Sequence, residues 1–215
     1  PKKAVVSDVH KELVDFYNAV KNGQGKDIHE FLMNNPNTEE VYYNVRDKFE
    51  VNTPLDNAKR FYYLRKTCYR GMLRYNRKGK FNIPYGRYKT FNFEEVKNEN
   101  YKTIFENIKI LNDSFEKVFE MCDDPKNFIF LDPPYDSEFT DYGYCSFGVE
   151  EHRKLAECFK RSKAKCMIVI GKTPLIDELY GDYIKHSYPK NYRFKLHSNR
   201  IGNEINTTHV VITNY

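Results

Sequence analysis

The string Asp132-Pro133-Pro134-Tyr135 combines residue types that suit one kind of chemistry. The Asp132 carboxylate accepts hydrogen bonds, and the carbonyl of Pro133 is a second acceptor. Each proline locks its own φ, Pro134 biases Pro133 toward an extended backbone, and neither carries an N–H. The stretch therefore presents acceptors only. Two acceptors holding both N–H groups of an exocyclic amine localise the lone pair on nitrogen. In adenine that lone pair is otherwise delocalised into the ring, which makes the amine a poor nucleophile. Tyr135 adds a flat face on which a base can stack. A base inside a duplex reaches such a site only when it is flipped out. The competing reading is a polar turn, because Pro-Pro is a turn signal.

The apolar run Phe128–Leu131 directly precedes this string and reads as a buried strand, and ligands of open α/β sheets bind at the carboxyl ends of strands. Other elements follow from periodicity and caps. Ala4-Val5-Val6 is a short strand ending at Ser7-Asp8. Leu13, Phe16, Tyr17 and Val20 share a helix face, with Gly23 as the stop. Helices are expected near Asp27–Met33 and over Glu39–Phe49, the latter capped by Asn37. Thr53-Pro54-Leu55-Asp56 has the form of a capped helix start, and that helix runs to about Thr67. An irregular stretch to Phe93 precedes a helix over Glu94–Glu106, a strand at Ile108–Leu111 and a helix over Ser114–Met121. Glu150–Lys163 reads as an amphipathic helix, Lys165–Ile170 as a strand, and Thr173-Pro174 as a helix start. Strands at Tyr183–Tyr188, Tyr192–His197 and Thr207–Thr213 complete the chain. Alternating strands and helices predict an α/β fold with a mostly parallel sheet. The absence of a helix between the last two strands predicts an antiparallel C-terminal hairpin.

Length and composition exclude several classes. A chain of 215 residues suits one large domain or a domain with an insertion. Five cysteines with no C-x-x-C spacing argue against a disulfide framework or a zinc site and for a reducing intracellular compartment. No apolar run approaches the ~20 residues of a membrane helix, and no signal peptide is visible. The net charge of +5 is mild, but its distribution is uneven. From Asn57 to Phe93 there is no Asp or Glu, while eleven Lys or Arg alternate with ten aromatics. Cations neutralise phosphates and release counterions, and rings stack on bases or wedge between them. A solvated basic face over a Tyr/Phe core is the competing reading, and for Phe61 and Leu64 it is the better one.

With the Asp-Pro-Pro-Tyr string after a strand, the sequence resembles the N6-adenine and N4-cytosine amino-methyltransferases. The run from Arg60 through Cys68-Tyr69-Arg70-Gly71-Met72-Leu73-Arg74-Tyr75-Asn76 to Phe81-Asn82-Ile83-Pro84-Tyr85-Gly86-Arg87-Tyr88-Lys89 narrows this to the Dam-like, D12-class DNA adenine-N6 methyltransferases. Their target-recognition segment carries a similar string ending in an FNVPFG-type turn and Tyr-Lys. The resemblance implies a Rossmann-like methyltransferase sheet with a helical and loop insertion at 34–93, the catalytic domain being 1–33 and 94–215. It also implies S-adenosylmethionine as methyl donor, no metal, and double-stranded DNA as substrate, methylated at N6 of a flipped adenine. The catalytic residues would be Asp132, Pro133, Pro134 and Tyr135. By position, Arg74 matches the arginine that reads a guanine edge, and Tyr69 matches the aromatic that wedges beside the target. Met72 and Pro84 match apolar base contacts, Lys89 a phosphate contact, and Arg70, Asn76 and Tyr88 complete the DNA-binding set. Arg70 stands where the family usually has Asn.

On the cofactor side the resemblance assigns Asp8 to the ribose hydroxyls. It assigns Asp113, Ser114 and Phe115 to the adenine, with the acid on the amino group and the ring stacking. The local alternative is that Asp8 and Asp113 are helix caps. The family's Gly-rich Phe-x-Gly-x-Gly-like loop, which lies before the Asp8 position, does not occur in these residues, and Gly171-Lys172 replaces a Ser-Asn pair common in relatives. An N-terminal segment or a partner chain is expected to complete the cofactor site. The alternative is a DNA-binding relative that does not catalyse.

Overall fold

The helix starts show local chemistry at work. In a computed structural model, which describes residues 3–76, 78–136, 146–191 and 206–215, Thr53 and Asp56 form a reciprocal capping box. Thr53 Oγ1 accepts from Asp56 N at 3.1 Å and Asp56 Oδ2 accepts from Thr53 N at 3.0 Å. Pro54 occupies the first turn, where its missing N–H is harmless.

The described residues divide into two compact units, one running to Ser114 and one from Phe115 onward. In the first, strand β1 (Ala4–Ser7) pairs in parallel with β2 (Ile108–Leu111), Ser7 opposite Leu111. Between them in sequence lie α1 (Lys11–Lys21), α2 (Gly25–Asn34), α3 (Glu39–Asp47), α4 (Pro54–Thr67) and α5 (Asn100–Phe105). Ile28, Leu32, Tyr42, Ala58, Tyr63, Leu64 and Ile83 are the centre of one core. Phe61 and Leu64 are buried, as expected of α4. Ile28 and Leu32 of α2 share this core with residues of the 34–93 region. Gly25 begins α2 where a Cβ would lie 2.0 Å from the carbonyl oxygen of Val96, so no larger residue fits.

In the second unit the sheet order is β3 (Phe128–Leu131), β4 (Lys165–Gly171), β6 (Asn206–Thr213), β5 (Ile184–Asn191). β3 and β4 are parallel, and β6 runs antiparallel to both of its neighbours. α6 (Phe115–Cys122), α7 (Val149–Arg161) and α8 (Pro174–Tyr180) complete the unit. Period-2 burial of Cys166, Ile168 and Ile170 on β4, with Leu155 and Phe159 of α7, makes its core.

Several expectations need correction. Thr38, not Asn37, caps α3. Asn37 instead donates from Nδ2 to the Tyr88 carbonyl at 2.8 Å, and its own carbonyl accepts from Tyr85 Oη at 2.6 Å. The helix expected over Glu94–Glu106 is a 3-10 turn, Glu94–Lys97, followed by α5. Asn98 interrupts it, because its Oδ1 accepts from Asn100 N at 3.0 Å and so competes with helical pairing. The last strand, β6, inserts between β4 and β5 and is antiparallel to both. The strand expected over Tyr192–His197 lies outside the described residues.

Candidate active site and DNA interface

In the second unit, β3 is buried on one face only, through Ile129 and Leu131, while Phe128 and Phe130 stand exposed, which corrects the expectation of a buried strand. Asp132 follows Leu131 exposed. Among the described residues, nothing forms a hydrogen bond or ion pair with the Asp132 carboxylate. Pro133 and Pro134 are half-buried. Tyr135 is 41% exposed, and its ring meets His209 of β6 edge-on, with centroids 5.7 Å apart. Gly171, at the end of β4, lies beside that ring: a Cβ there would sit at ordinary contact distance, 3.7 Å from Tyr135 Cδ1. His209 is buried and also faces Tyr188 at 5.8 Å. Burial, and secondarily Lys190, push its pKa down, which favours the neutral ring.

Asp136, which follows the Asp-Pro-Pro-Tyr string, is anchored. Thr173 Oγ1 donates to Asp136 Oδ2 at 2.6 Å and accepts from Ile176 N at 3.2 Å as the cap of α8. Sequence reading found the Thr173 cap but missed Asp136 and His209. Both act through residues far away along the chain, so no local pattern marks them.

In the first unit, Asp8 and Asp113 follow the carboxyl ends of the parallel pair β1/β2. Asp8 N donates to Leu111 O at 3.2 Å, Ser7 Oγ donates to Asp113 O at 2.8 Å, and Asn112 Nδ2 donates to the carbonyls of Asp8 and Val9 at 3.0 Å each. Asp8 is not the cap of α1. That role falls to His10, whose Nδ1 accepts from Leu13 N at 3.3 Å. Asp8 Oδ1 accepts from His10 N at 2.7 Å instead. Asp113 is exposed, with Oδ1 accepting from Ser114 N at 2.9 Å, and Ser114 is half-buried. Phe115 belongs to the second unit, where it packs on the core and meets Phe147 edge-on at 6.0 Å. Asp132, Pro133, Pro134 and Tyr135 belong to that unit as well.

Residues 67–76 and 78–86 form an irregular two-stranded ribbon in the first unit. Gly86 N donates to Thr67 O and Tyr69 N to Pro84 O, both at 2.8 Å. Asn82 N donates to Arg74 O at 3.1 Å and Asn76 N to Lys80 O at 2.9 Å. Cys68, Tyr75, Phe81 and Ile83 are buried beneath it. Tyr69, Arg70, Arg74, Pro84, Tyr88 and Lys89 are exposed, so six of the eight candidate DNA contacts lie on open surface. Arg74 Nε donates to Asn82 Oδ1 at 2.9 Å, which orients the guanidinium.

The other two candidates behave differently. Met72 is half-buried and packs on the core. Asn76 Oδ1 accepts from Lys78 N at 2.9 Å and Lys80 N at 3.1 Å, so this oxygen builds the ribbon tip. Arg70 has φ +54°, in the left-handed region. Asn is one of the few non-glycine residues at ease there. Here the Arg70 guanidinium lies over the Tyr69 ring at 5.2 Å, a cation–π contact of roughly 0.5–1 kcal/mol at an exposed site. Not every cation of the segment faces outward: Arg60 is paired with Glu12 at 3.1 Å and donates to Arg46 O at 2.9 Å.

A parallel-strand α/β scaffold with an Asp-Pro-Pro-Tyr loop at a strand's carboxyl end is the architecture of an amino-methyltransferase. The family model for D12 class N6 adenine-specific DNA methyltransferases matches residues 1–196, and the chain belongs to that family. It is 57% identical over 211 residues to the Type II methyltransferase M.CviBI of Paramecium bursaria Chlorella virus NC1A, covering 98% of this chain and 81% of the relative. It is 38% identical over 178 residues to the Type II methyltransferase M.MjaIII of Methanocaldococcus jannaschii, covering 74% and 61%. It is 32% identical over 162 residues to the DNA adenine methylase of Escherichia coli K12, covering 71% and 58%. The chain thus spans about four-fifths of the first relative's length and about three-fifths of the other two. Among the described residues, no helix is long and apolar enough to cross a membrane.

Proposed function

We propose that the chain methylates N6 of an adenine flipped out of duplex DNA, with S-adenosylmethionine as donor. Bound at its site, the donor supplies an electrophilic methyl group. Asp132 and the Pro133 carbonyl accept the two N–H groups of the adenine amine, which localises the lone pair that attacks. The N–C bond would form as the donor's sulfur–methyl bond breaks, the sulfur leaving as a neutral thioether, and the Asp132 carboxylate would accept the proton released from the amine. Tyr135 stacks on the base, and His209 backs the tyrosine ring. Asp8 accepts from the ribose hydroxyls of the donor, and Asp113 accepts from its adenine amine. The paired carboxylates at the ends of β1 and β2 suit a ligand rich in hydrogen-bond donors. The 34–93 region reads DNA, with Arg74 on a guanine edge, Tyr69, Tyr88 and Pro84 against bases, and Lys89 and Arg70 on phosphates; residues 1–33 and 94–215 form the catalytic domain.

The single observation that carries this reading is an exposed Asp132, without a partner among the described residues, at the tip of β3 beside an accessible tyrosine ring. An ordinary structural turn has no need for a stacking face beside its exposed carboxylate. The test incubates the chain with labelled S-adenosylmethionine and mixed-sequence duplex DNA, followed by digestion and detection of N6-methyladenine. Asp132→Ala is expected to abolish transfer while DNA affinity stays within about twofold, since phosphate contacts dominate affinity. Wild-type turnover by that variant would overturn the assignment.

A further inference from the structure

Inside the first unit, a continuous line of hydrogen bonds runs from the Asp8 carboxylate to the DNA-reading ribbon. His10 is the junction. Its backbone N–H donates to Asp8 Oδ1 at 2.7 Å, and its Nδ1 accepts the Leu13 amide proton at 3.3 Å. An accepting Nδ1 leaves the ring proton of neutral imidazole on Nε2, which lies 2.8 Å from Tyr75 Oη. The Tyr75 hydroxyl in turn donates to Glu12 Oε2. The other Glu12 oxygen accepts from Arg60 Nη1 at 3.1 Å, and Arg60 Nη2 donates to Arg46 O at 2.9 Å. Arg46 Nη1 then donates to Ile83 O at 3.1 Å, beside Tyr42 Oη on the same carbonyl at 2.7 Å.

The two ends of this line are informative. Tyr75 and Ile83 stand on opposite strands of the ribbon, and Tyr75 is the neighbour of Arg74. Both strands are therefore tied to the first turn of α1, the turn that also holds Asp8. The line is dry at its centre, since His10 is 3% and Tyr75 8% exposed. Buried polar groups of this kind are expensive to leave unmade, so the ribbon and the Asp8 turn share one arrangement rather than moving independently. Nothing in the methyl-transfer chemistry requires His10 or Tyr75 to touch a reacting atom.

We propose that His10 and Tyr75 are positioning residues that lock the base-reading ribbon to the Asp8 turn, so that donor binding and DNA sequence discrimination depend on each other. The inference rests on the proposed roles of Asp8 and Arg74. By linkage, a lock of this kind makes the coupling reciprocal: DNA tightens the donor site by the factor by which the donor tightens DNA.

The test uses the full chain with S-adenosylhomocysteine as the probe. Its Kd is measured alone and with the duplex that the wild type methylates best, and methylation is compared on that duplex and on one with a single altered base pair. For the wild type, the duplex should tighten the probe about fivefold or more. Tyr75→Phe keeps the ring against Phe81 and His10 and removes only the hydroxyl. His10→Asn keeps a competent helix cap but is too short to reach Tyr75. Each should bring the coupling factor to within about twofold of one and cut discrimination about tenfold, a typical coupling range. A purely structural role would lower the unfolding midpoint and leave the coupling factor of the folded fraction unchanged. Wild-type coupling and discrimination in His10→Asn, or no coupling in the wild type, would overturn the proposal. Asp8→Ala with undiminished probe affinity, or Arg74→Ala with undiminished discrimination, would instead sink the underlying site assignments, so the two failures are distinct.

Discussion

Gly86 offers a demanding test of how the ribbon is built. A Cβ on this residue would lie 2.6 Å from Cys68 O, 2.8 Å from Cys68 C and 2.6 Å from Tyr88 Cε2. The Tyr88 ring can swing aside, but the Cys68 carbonyl cannot. It belongs to the backbone that pairs Cys68 with Tyr85, and Gly86 N donates to Thr67 O one step away. Gly86→Ala therefore forces the strands apart. Overpacking of this kind costs about 1–3 kcal/mol, and a weakened backbone hydrogen bond adds about 1 kcal/mol. The smaller unfolded-state entropy of alanine offsets about 0.4–1 kcal/mol. The net expectation is a loss of roughly 1–3 kcal/mol, felt first in the ribbon. Hydrogen exchange at the Tyr69, Asn82 and Gly86 amides is the assay, since each donates across the ribbon. Their protection should fall roughly 5- to 150-fold, at about 1.4 kcal/mol per decade. Sequence discrimination should fall with it, and amides of β4 should be unaffected. Unchanged protection at all three ribbon amides would refute the close-approach argument.

Burial lowers the pKa of His10, His152 and His209. The unfolded chain then binds protons more readily than the folded one, so stability is full above the ordinary histidine value of about 6.5 and declines as pH falls below it. Urea midpoints measured from pH 8 to pH 5 should show that decline beyond any loss from the carboxylates in a triple His10→Asn, His152→Gln, His209→Gln control; superimposable profiles would refute it. Thr173→Val removes both the α8 cap and the anchor of Asp136. It should lose about 0.5–2 kcal/mol of stability and slow methyl transfer more than it weakens DNA binding, with Thr173→Ser restoring both. Transfer at the wild-type rate would show that the Asp136 contact does not position the Asp132 loop.

Much of the molecule was legible in the residues themselves. The Asp-Pro-Pro-Tyr string advertised its acceptors, its stiffness and its place after a strand, because proline geometry and an apolar run are local properties. The capping box at Thr53 and Asp56 was readable for the same reason, as was the burial of Phe61 and Leu64 on α4. The acid-free stretch from Asn57 to Phe93 marked the basic surface by composition alone.

Other features were decided only by tertiary structure. Asn37 and Thr38 are both able caps, and contacts of Asn37 with Tyr88 and Tyr85 left the role to Thr38. Asp8 looked like a cap, but His10 takes that place and Asp8 Oδ1 accepts from the His10 amide instead. Asn76 turned inward to shape the ribbon tip, and Arg70 adopted a backbone conformation that no residue count could signal. His10 meets Tyr75, and Asp136 meets Thr173, across separations of 65 and 37 residues. Periodicity and caps report interactions within a few residues along the chain. Partners that only folding brings together leave no periodic trace, so the sequence marked the Asp-Pro-Pro-Tyr loop while the fold chose what holds it.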